Sequence, residues 1–214
     1  MMVACGLVLF DLDGTLTDSK PGIINSVKYA LESMGVSLPD EDTLKKFVGP
    51  PLRNSFKMFC GFDDIKSEEA VAKYREYFAP KGMLENKPYP NVIEVLEGLA
   101  LKGVIMAVAT SKPTVYAEKI LNHFDMSRYF SLIVGSELDG TRSDKAEIIA
   151  YALDKLNSDR GMKTVMIGDR KHDIIGAKIC KIGSIGALWG YGSKAELEEA
   201  GADRLIILPL ELLR

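Results

Sequence analysis

The chain has 214 residues, 47% of them hydrophobic and 27% charged, which is the balance of a globular protein with one large domain or two small ones. A net charge of -3 at pH 7 argues against a nucleic-acid-binding surface, and no apolar run reaches the roughly 18 residues that a membrane-spanning helix needs. The amino terminus lacks a signal-peptide pattern, and Cys5, Cys60 and Cys180 have neither zinc-site nor Cys-x-x-Cys spacing. We therefore expect a cytoplasmic protein without nucleic-acid or membrane partners.

The first predicted element is a buried strand from Val3 to Phe10, a short and uniformly apolar run. It leads into Asp11-Leu12-Asp13-Gly14-Thr15, where two carboxylates stand two residues apart and Gly14 lets the backbone approach a ligand. Open α/β sheets bind ligands at the edge formed by the carboxyl ends of their strands, which is where this stretch lies. Carboxylates this close repel each other unless a cation lies between them. Mg²⁺ commonly takes one or two carboxylates together with substrate phosphate. The stretch therefore indicates a metal-assisted phosphate site, although Asp-x-Asp-Gly alone is also a common turn sequence.

Residues 17–83 are predicted to form an all-helical domain, because strand signals are weak throughout this segment. Four helices are expected: Ser19 to about Met34, Glu41 to Phe47 capped by Asp40, one that includes Phe56, Met58 and Phe59, and one from Asp63 or Asp64 through Tyr77. We call Asp11-Leu12-Asp13-Gly14-Thr15 the acidic loop. An insertion placed directly after it can close over a neighbouring site and exclude water. We interpret this segment as a helical cap domain.

Residues 1–16 and 84–214 are predicted to form the second, larger domain, because apolar strands and helices alternate from Leu84 onward. The expected strands are Val104–Ala109, Leu132–Val134, Val165–Ile167, Ser184–Leu188 and Leu205–Leu208, with Thr110-Ser111-Lys112-Pro113 as a loop after the first of these. Parallel strands need helical crossovers, so this alternation predicts an α/β fold with a Rossmann-like parallel sheet covered on both faces.

Polar residues follow four of the predicted strands or begin the helices after them, and in a parallel sheet these positions share one edge. They are Asp11 with Asp13, Thr110 with Ser111, Lys145, and Asp169 with Asp173. Each has an ordinary structural explanation by itself: a turn, a helix cap, a solvated lysine or an acid in a first helical turn. Their joint occurrence at successive strand ends favours a shared site.

The chemistry of such a site assigns a role to each residue. Asp11 is the candidate nucleophile, which forms an aspartyl-phosphate, and Asp13 is the candidate acid and base for the leaving oxygen and the attacking water. The carboxylates of Asp11 and Asp169, with Asp173 beside them, and the backbone carbonyl of Asp13 are candidate Mg²⁺ ligands. The candidate phosphoryl-binding groups are Gly14, Thr110, Ser111 and Lys145, and Thr110 and Lys145 also count as catalytic.

These motifs make the chain resemble the haloacid dehalogenase-like superfamily over essentially its whole length. The resemblance rests on Asp11-Leu12-Asp13-Gly14-Thr15, Thr110, Lys145 and Gly168-Asp169-Arg170-x-x-Asp173, and the helical insertion resembles that family's first cap type. Val48-Gly49-Pro50-Pro51-Leu52, Thr110-Ser111-Lys112-Pro113 and Gly190-Tyr191-Gly192-Ser193 resemble the phosphoglycolate phosphatase-like and 5′-nucleotidase-like branch. The resemblance implies Mg²⁺-dependent hydrolysis of a small phosphate monoester. We expect a monomer or a dimer.

Several alternatives stay open at the level of sequence. An acid at Asp13 fits phosphatases and phosphomutases, so a β-phosphoglucomutase-like mutase is the alternative function. In the cap, Gly49 is expected to let a loop approach the substrate, and Arg53 either binds a substrate carboxylate or second phosphate or is an exposed helix arginine. Lys112 is either a charge in the substrate loop or a solvated residue. A receiver domain is disfavoured, because its phosphorylated aspartate would lie mid-chain.

Overall fold

The structure is a computed structural model that describes residues 5–156 and 162–214. The chain divides into two compact units: residues up to Thr17 together with those from Pro88 onward, and residues Asp18–Lys87. The predicted domain boundaries lie after residues 16 and 83. Val3 and Ala4, which belong to the predicted first strand, lie outside the described residues.

The strands of the described residues form one large sheet and one small one. They are Leu7–Phe10 (β1), Thr17–Asp18 (β2), Lys87–Pro88 (β3), Ile105–Pro113 (β4), Leu132–Ser136 (β5), Thr164–Gly168 (β6), Gly183–Ala187 (β7) and Arg204–Ile206 (β8). Six of them pair in the order β5-β4-β1-β6-β7-β8, and β2 pairs with β3 separately. Every pairing in the large sheet is parallel, which confirms the predicted parallel sheet.

The unit of residues 18–87 is helical, apart from its two terminal strand residues. Its helices are Lys20–Ser33 (α1), Glu41–Lys45 (α2), Leu52–Cys60 (α3) and Asp64–Phe78 (α4), followed by a 3-10 turn at Gly82–Leu84. Asp40 and Asp63 cap α2 and α4 by accepting backbone N–H bonds, as sequence capping signals predict. Phe47 and Phe56 form the aromatic centre of the unit, with ring centroids 5.2 Å apart.

Helices connect the strands of the large sheet. They are Val92–Leu101 (α5), Thr114–His123 (α6), Lys145–Lys155 (α7), Lys171–Ile179 (α8) and Lys194–Ala200 (α9), with 3-10 turns at Ser127–Tyr129 and Pro209–Leu213. The alternation of parallel strands and helices confirms the predicted α/β class. Among the described residues, no helix has the length and hydrophobicity needed to cross a membrane.

Strand β1 occupies the centre of the sheet because both of its faces are apolar. All four of its residues are buried, and Leu7 pairs with Ile105 on one side and with Thr164 on the other. Continuous apolar runs of this kind are typical of parallel strands covered by helices on both faces. Asp11, which follows β1, is therefore held at the middle of the carboxyl edge, and its N–H donates to the Ile167 carbonyl at 2.9 Å.

Strand β4 differs from its predicted form, because it continues through the four residues that the sequence assigned to a loop. Its pairing with β5 shifts register between Ala109 and Pro113, and Pro113 then lies opposite Ser136. The neighbouring strand permits this extension at Gly135, where a Cβ atom would clash with the Lys112 carbonyl oxygen. The polar residues after Ala109 are consequently anchored on the sheet.

Candidate active site

A buried lysine joins two of the acidic residues at the carboxyl edge of the sheet. Lys145, the first residue of α7, places its Nζ 2.9 Å from Asp11 Oδ1, 2.8 Å from Asp173 Oδ1 and 3.1 Å from the Ala109 carbonyl oxygen. Asp144 caps α7 by accepting the Ala146 N–H, which fixes the helix start that carries the lysine. One ammonium group thus joins the residue that follows β1, the backbone of β4 and the first turn of α8.

Asp169 lies fully buried beside this pair and is held by two hydrogen bonds. Thr15 Oγ1 donates to Asp169 Oδ1 at 3.2 Å, and the Tyr191 N–H donates to Oδ2 at 2.7 Å. Gly14 has a φ of 88°, and a Cβ atom there would clash with Asp169 Oδ2. Glycine at position 14 is therefore required by the close approach of the acidic loop to Asp169.

The acidic loop is also fixed from its other side by an indole. Trp189 Nε1 donates to the Thr15 carbonyl oxygen at 2.9 Å, and the backbone N–H groups of Thr15, Leu16 and Thr17 all point to the Leu12 carbonyl oxygen. The hydrogen bond from Trp189 was not foreseen from the sequence, because tryptophan and loop are 174 residues apart. The backbone around Asp11 and Asp13 is consequently well defined before any ligand binds.

Negative charge exceeds positive charge in this cluster. Burial and the charges of Asp173 and Asp11 raise the pKa of Asp169 well above its usual value, and burial also raises the pKa of Asp173 to about 6, although Lys145 opposes this. Burial disfavours the ammonium of Lys145, but the carboxylates of Asp11 and Asp173 outweigh it and raise the pKa of the lysine. A second cation would relieve the remaining repulsion.

The donor set fits a magnesium ion. Carboxylate oxygens of Asp11, Asp169 and Asp173 lie within 4.8 Å of one another, and all three residues are buried. Oxygen-only donors of this kind suit Mg²⁺, which is usually held by a few carboxylates together with substrate oxygens. Asp173 has additional partners, because its Oδ2 accepts the Arg170 N–H at 3.1 Å and its Oδ1 pairs with Lys145.

The carboxylate of Asp13 lies outside that cluster and has a different cation. Lys112 Nζ is 2.9 Å from Asp13 Oδ2, and the exposed fractions of the two side chains are 5% and 14%. The sequence left Lys112 open between a substrate-loop charge and a solvated residue, and the structure buries it. No sequence signal could have found this pair, because a lysine after a strand is usually solvated.

Thr110 and Ser111 lie on β4 next to this ion pair. Thr110 is 1% exposed, and its Oγ1 accepts the Lys112 N–H at 3.3 Å, which leaves the hydroxyl proton available for an acceptor. The Ser111 carbonyl oxygen accepts the Ser136 hydroxyl at 2.9 Å. Both residues of the predicted phosphoryl-binding pair are thus anchored to the sheet.

Arg170 and the cap candidates have structural partners of their own. Arg170 Nε lies 2.9 Å from Glu196 Oε1, which ties the start of α8 to α9. In the unit of residues 18–87, Arg53 forms an exposed ion pair with Glu68, and Gly49 has a φ of 108°. His172 is exposed at the surface of α8.

Comparison with known proteins matches residues 8–187 to the haloacid dehalogenase-like hydrolase family model. A 5′-nucleotidase of Pseudomonas aeruginosa is 46% identical over 193 residues, which cover 89% of this chain and 86% of that protein. A phosphoglycolate phosphatase of Aquifex aeolicus is 31% identical, with coverage of 86% and 85%. The tyrosine-protein kinase PtkA of Mycobacterium tuberculosis is 39% identical over 186 residues, which cover 87% of this chain and 63% of that longer protein.

Solved structures agree with this result. The crystal structure of a predicted phosphatase from Clostridium acetobutylicum is 46% identical and superimposes with a TM-score of 0.92, covering 98% of this chain and 96% of the other. The chain therefore belongs to the haloacid dehalogenase-like hydrolase family, as its motifs indicated. Together, the family match and the named phosphatase relatives identify it as a phosphoric monoester hydrolase.

Proposed function

We propose that this chain is a Mg²⁺-dependent phosphatase of the cytoplasm that hydrolyses small phosphate monoesters through a phosphorylated Asp11. One observation carries the proposal: three buried carboxylates meet within 4.8 Å, and the ammonium of Lys145 contacts Asp11 and Asp173. Phosphoryl transfer depends mainly on positioning and on compensation of charge, and this cluster supplies both.

The proposed reaction has two displacements at phosphorus. The Asp11 carboxylate attacks, so an O–P bond forms to Asp11 while the bond between phosphorus and the leaving oxygen breaks. Asp13 gives a proton to the leaving oxygen and then takes a proton from the water that attacks the aspartyl-phosphate. Splitting one displacement into two gives each step a better nucleophile or leaving group, and a positioned acid–base group typically contributes about 10²–10⁴-fold.

Phosphoryl oxygens need donors and positive charge during both steps. Lys145 supplies a buried ammonium, and the hydroxyl of Thr110 and the backbone N–H of Ser111 are the proposed donors, with Gly14 giving the phosphate close access. Mg²⁺ would be held by Asp11, Asp169 and Asp173 with the Asp13 carbonyl oxygen. When bound, it offsets the repulsion between the anionic nucleophile and the anionic ester.

The proposed substrates are nucleoside 5′-monophosphates and phosphoglycolate. Relatives named for these two substrates are 46% and 31% identical to the chain. Both substrates carry polar or anionic groups beyond the phosphoryl group, and Arg53 and Gly49 of the cap are proposed to contact that part. A guanidinium suits this task because it binds carboxylate or phosphate with two hydrogen bonds.

Phosphate release from a panel of monoesters tests the proposal. The panel contains nucleoside 5′-monophosphates, phosphoglycolate and β-glucose 1-phosphate, each with Mg²⁺ and with EDTA, and Asp11→Asn is the inactive control. We expect Mg²⁺-dependent release from one of the first two classes and none from the Asp11→Asn variant. Conversion of β-glucose 1-phosphate to its 6-phosphate with little phosphate release would instead establish the mutase alternative, and wild-type rates in Asp11→Asn would refute the nucleophile.

A further inference from the structure

Lys112 is a buried cation that has no part in the mechanism described above. Its Nζ lies 2.9 Å from Asp13 Oδ2, and only 5% of its side chain is exposed. Lysine is almost never buried without a partner, because removing an ammonium from water is costly unless an opposite charge compensates. The ion pair therefore accounts for the burial of Lys112, and it connects β4 directly to the acidic loop.

The backbone of Lys112 is anchored independently of this pair. Its N–H donates to Thr110 Oγ1, the preceding carbonyl of Ser111 accepts the Ser136 hydroxyl, and Gly135 permits β5 to approach the Lys112 carbonyl without a clash. The base of the side chain is thus held by two strands of the sheet. Such support on rigid elements keeps a charged group at one place in a site.

The pair also divides the two oxygens of Asp13 between different tasks. Oδ2 is occupied by the ammonium, whereas Oδ1 is buried and has no hydrogen-bond partner among residues 5–156 and 162–214. Buried carboxylate oxygens normally accept hydrogen bonds, so an oxygen without one points to a partner that arrives with a ligand. In the proposed reaction, that partner is the leaving oxygen and afterwards the attacking water.

We propose that Lys112 is a positioning residue that holds Asp13 by Oδ2, so that Oδ1 exchanges the proton with the leaving group and then with water. This inference rests on the proposed function. As the bond between phosphorus and the leaving oxygen breaks, the proton passes from Oδ1 to that oxygen. Water then returns a proton to Oδ1 as its oxygen bonds to phosphorus and the Asp11–phosphorus bond breaks. Lys112 itself neither gains nor loses a proton.

Leaving-group dependence distinguishes this role from a general structural one. The 4-nitrophenolate ion leaves without protonation, whereas the phenolate of phenyl phosphate is a stronger base and benefits from a proton donor. The ratio kcat/KM reports the steps up to and including departure of the leaving group. We expect Lys112→Met to lower kcat/KM for phenyl phosphate by about 10²-fold and for 4-nitrophenyl phosphate by less than about tenfold, within the usual range of acid–base catalysis. Lys194→Met, which removes an exposed lysine paired with Glu198 at 3.5 Å, is the matched control and should change neither value.

A double-mutant cycle with Asp13→Asn completes the test, with thermal unfolding of each variant as the check on folding. If Lys112 acts through Asp13, adding Lys112→Met to Asp13→Asn lowers kcat/KM for phenyl phosphate no further. Equal losses on both esters, or a full additional loss in the double variant, would overturn the role of Lys112 and leave the proposed function intact. If Asp13→Asn itself shows no preference between the esters, or the wild type cleaves neither with Mg²⁺, the proposed mechanism fails and the inference falls with it.

Discussion

Replacing Lys145 by methionine is expected to destabilise the fold strongly when no metal is present. The variant keeps most of the side-chain volume but removes the ammonium that lies 2.9 Å from Asp11 and 2.8 Å from Asp173. At an effective dielectric constant near 20, two unit charges at this separation attract by roughly 6 kcal/mol, before the cost of burying them is subtracted. Breaking one partner of a buried ion pair costs about 3–5 kcal/mol, which is the loss we expect in the free energy of unfolding.

Urea unfolding in EDTA at pH 8 measures this loss, with Lys194→Met as the control that removes an exposed pair worth at most about 1 kcal/mol. The deficit should shrink as the pH is lowered. Without the lysine, the positive charge that holds down the pKa of buried Asp173 is lost, so this pKa rises in the folded state and protonation at lower pH removes the repulsion between the two carboxylates. A loss below about 1 kcal/mol at pH 8 would refute the conclusion that Lys145 balances the buried carboxylates.

Two further outcomes follow from the described contacts. Mg²⁺ at 100 times its dissociation constant should stabilise the wild type by about 2–3 kcal/mol, which is measured as a higher melting temperature. The Asp169→Asn variant should lose most of this gain. An equal gain in the variant would exclude Asp169 as a ligand. Burial opposes the charge of Glu196, but the Lys171 N–H and the Arg170 guanidinium outweigh it and lower the pKa of Glu196 below 4.5. Its contribution is therefore present above pH 4.5 and lost as the pH falls through the lowered pKa. Glu196→Gln should cost about 1–2 kcal/mol at pH 7 and progressively less as the pH falls below 4.5, and a constant difference across this range would contradict the assignment.

The fold could be predicted well because its signals are local. Uniformly apolar runs alternating with helical spacing identify parallel strands, and capping aspartates such as Asp40 and Asp63 mark helix starts within a residue. The carboxyl ends of parallel strands share one edge, so the sequence alone predicts that Asp11, Lys145 and Asp169 lie close together. Their clustering follows from topology and needs no knowledge of packing.

The remainder of the site depends on contacts between distant residues. The extension of β4 through Pro113 requires Gly135 on the neighbouring strand, and a sequence pattern does not report the space that a glycine leaves for another chain segment. The position of Lys112 could not be predicted for the same reason. A lysine that follows a strand is usually solvated, and only the extension of β4 places this one next to Asp13. Local periodicity does not determine which side chains come into contact through tertiary packing.

The hydrogen bond from Trp189 to the Thr15 carbonyl gives the protein a built-in optical reporter. The chain contains a single tryptophan, so all of its indole emission comes from a ring attached to the loop that carries Asp11 and Asp13. Indole emission responds to the polarity and hydrogen bonding of its surroundings, and here those surroundings include the loop itself. Stopped-flow fluorescence of the unlabelled protein can therefore report changes in this loop in real time when Mg²⁺ or a phosphate ester is added.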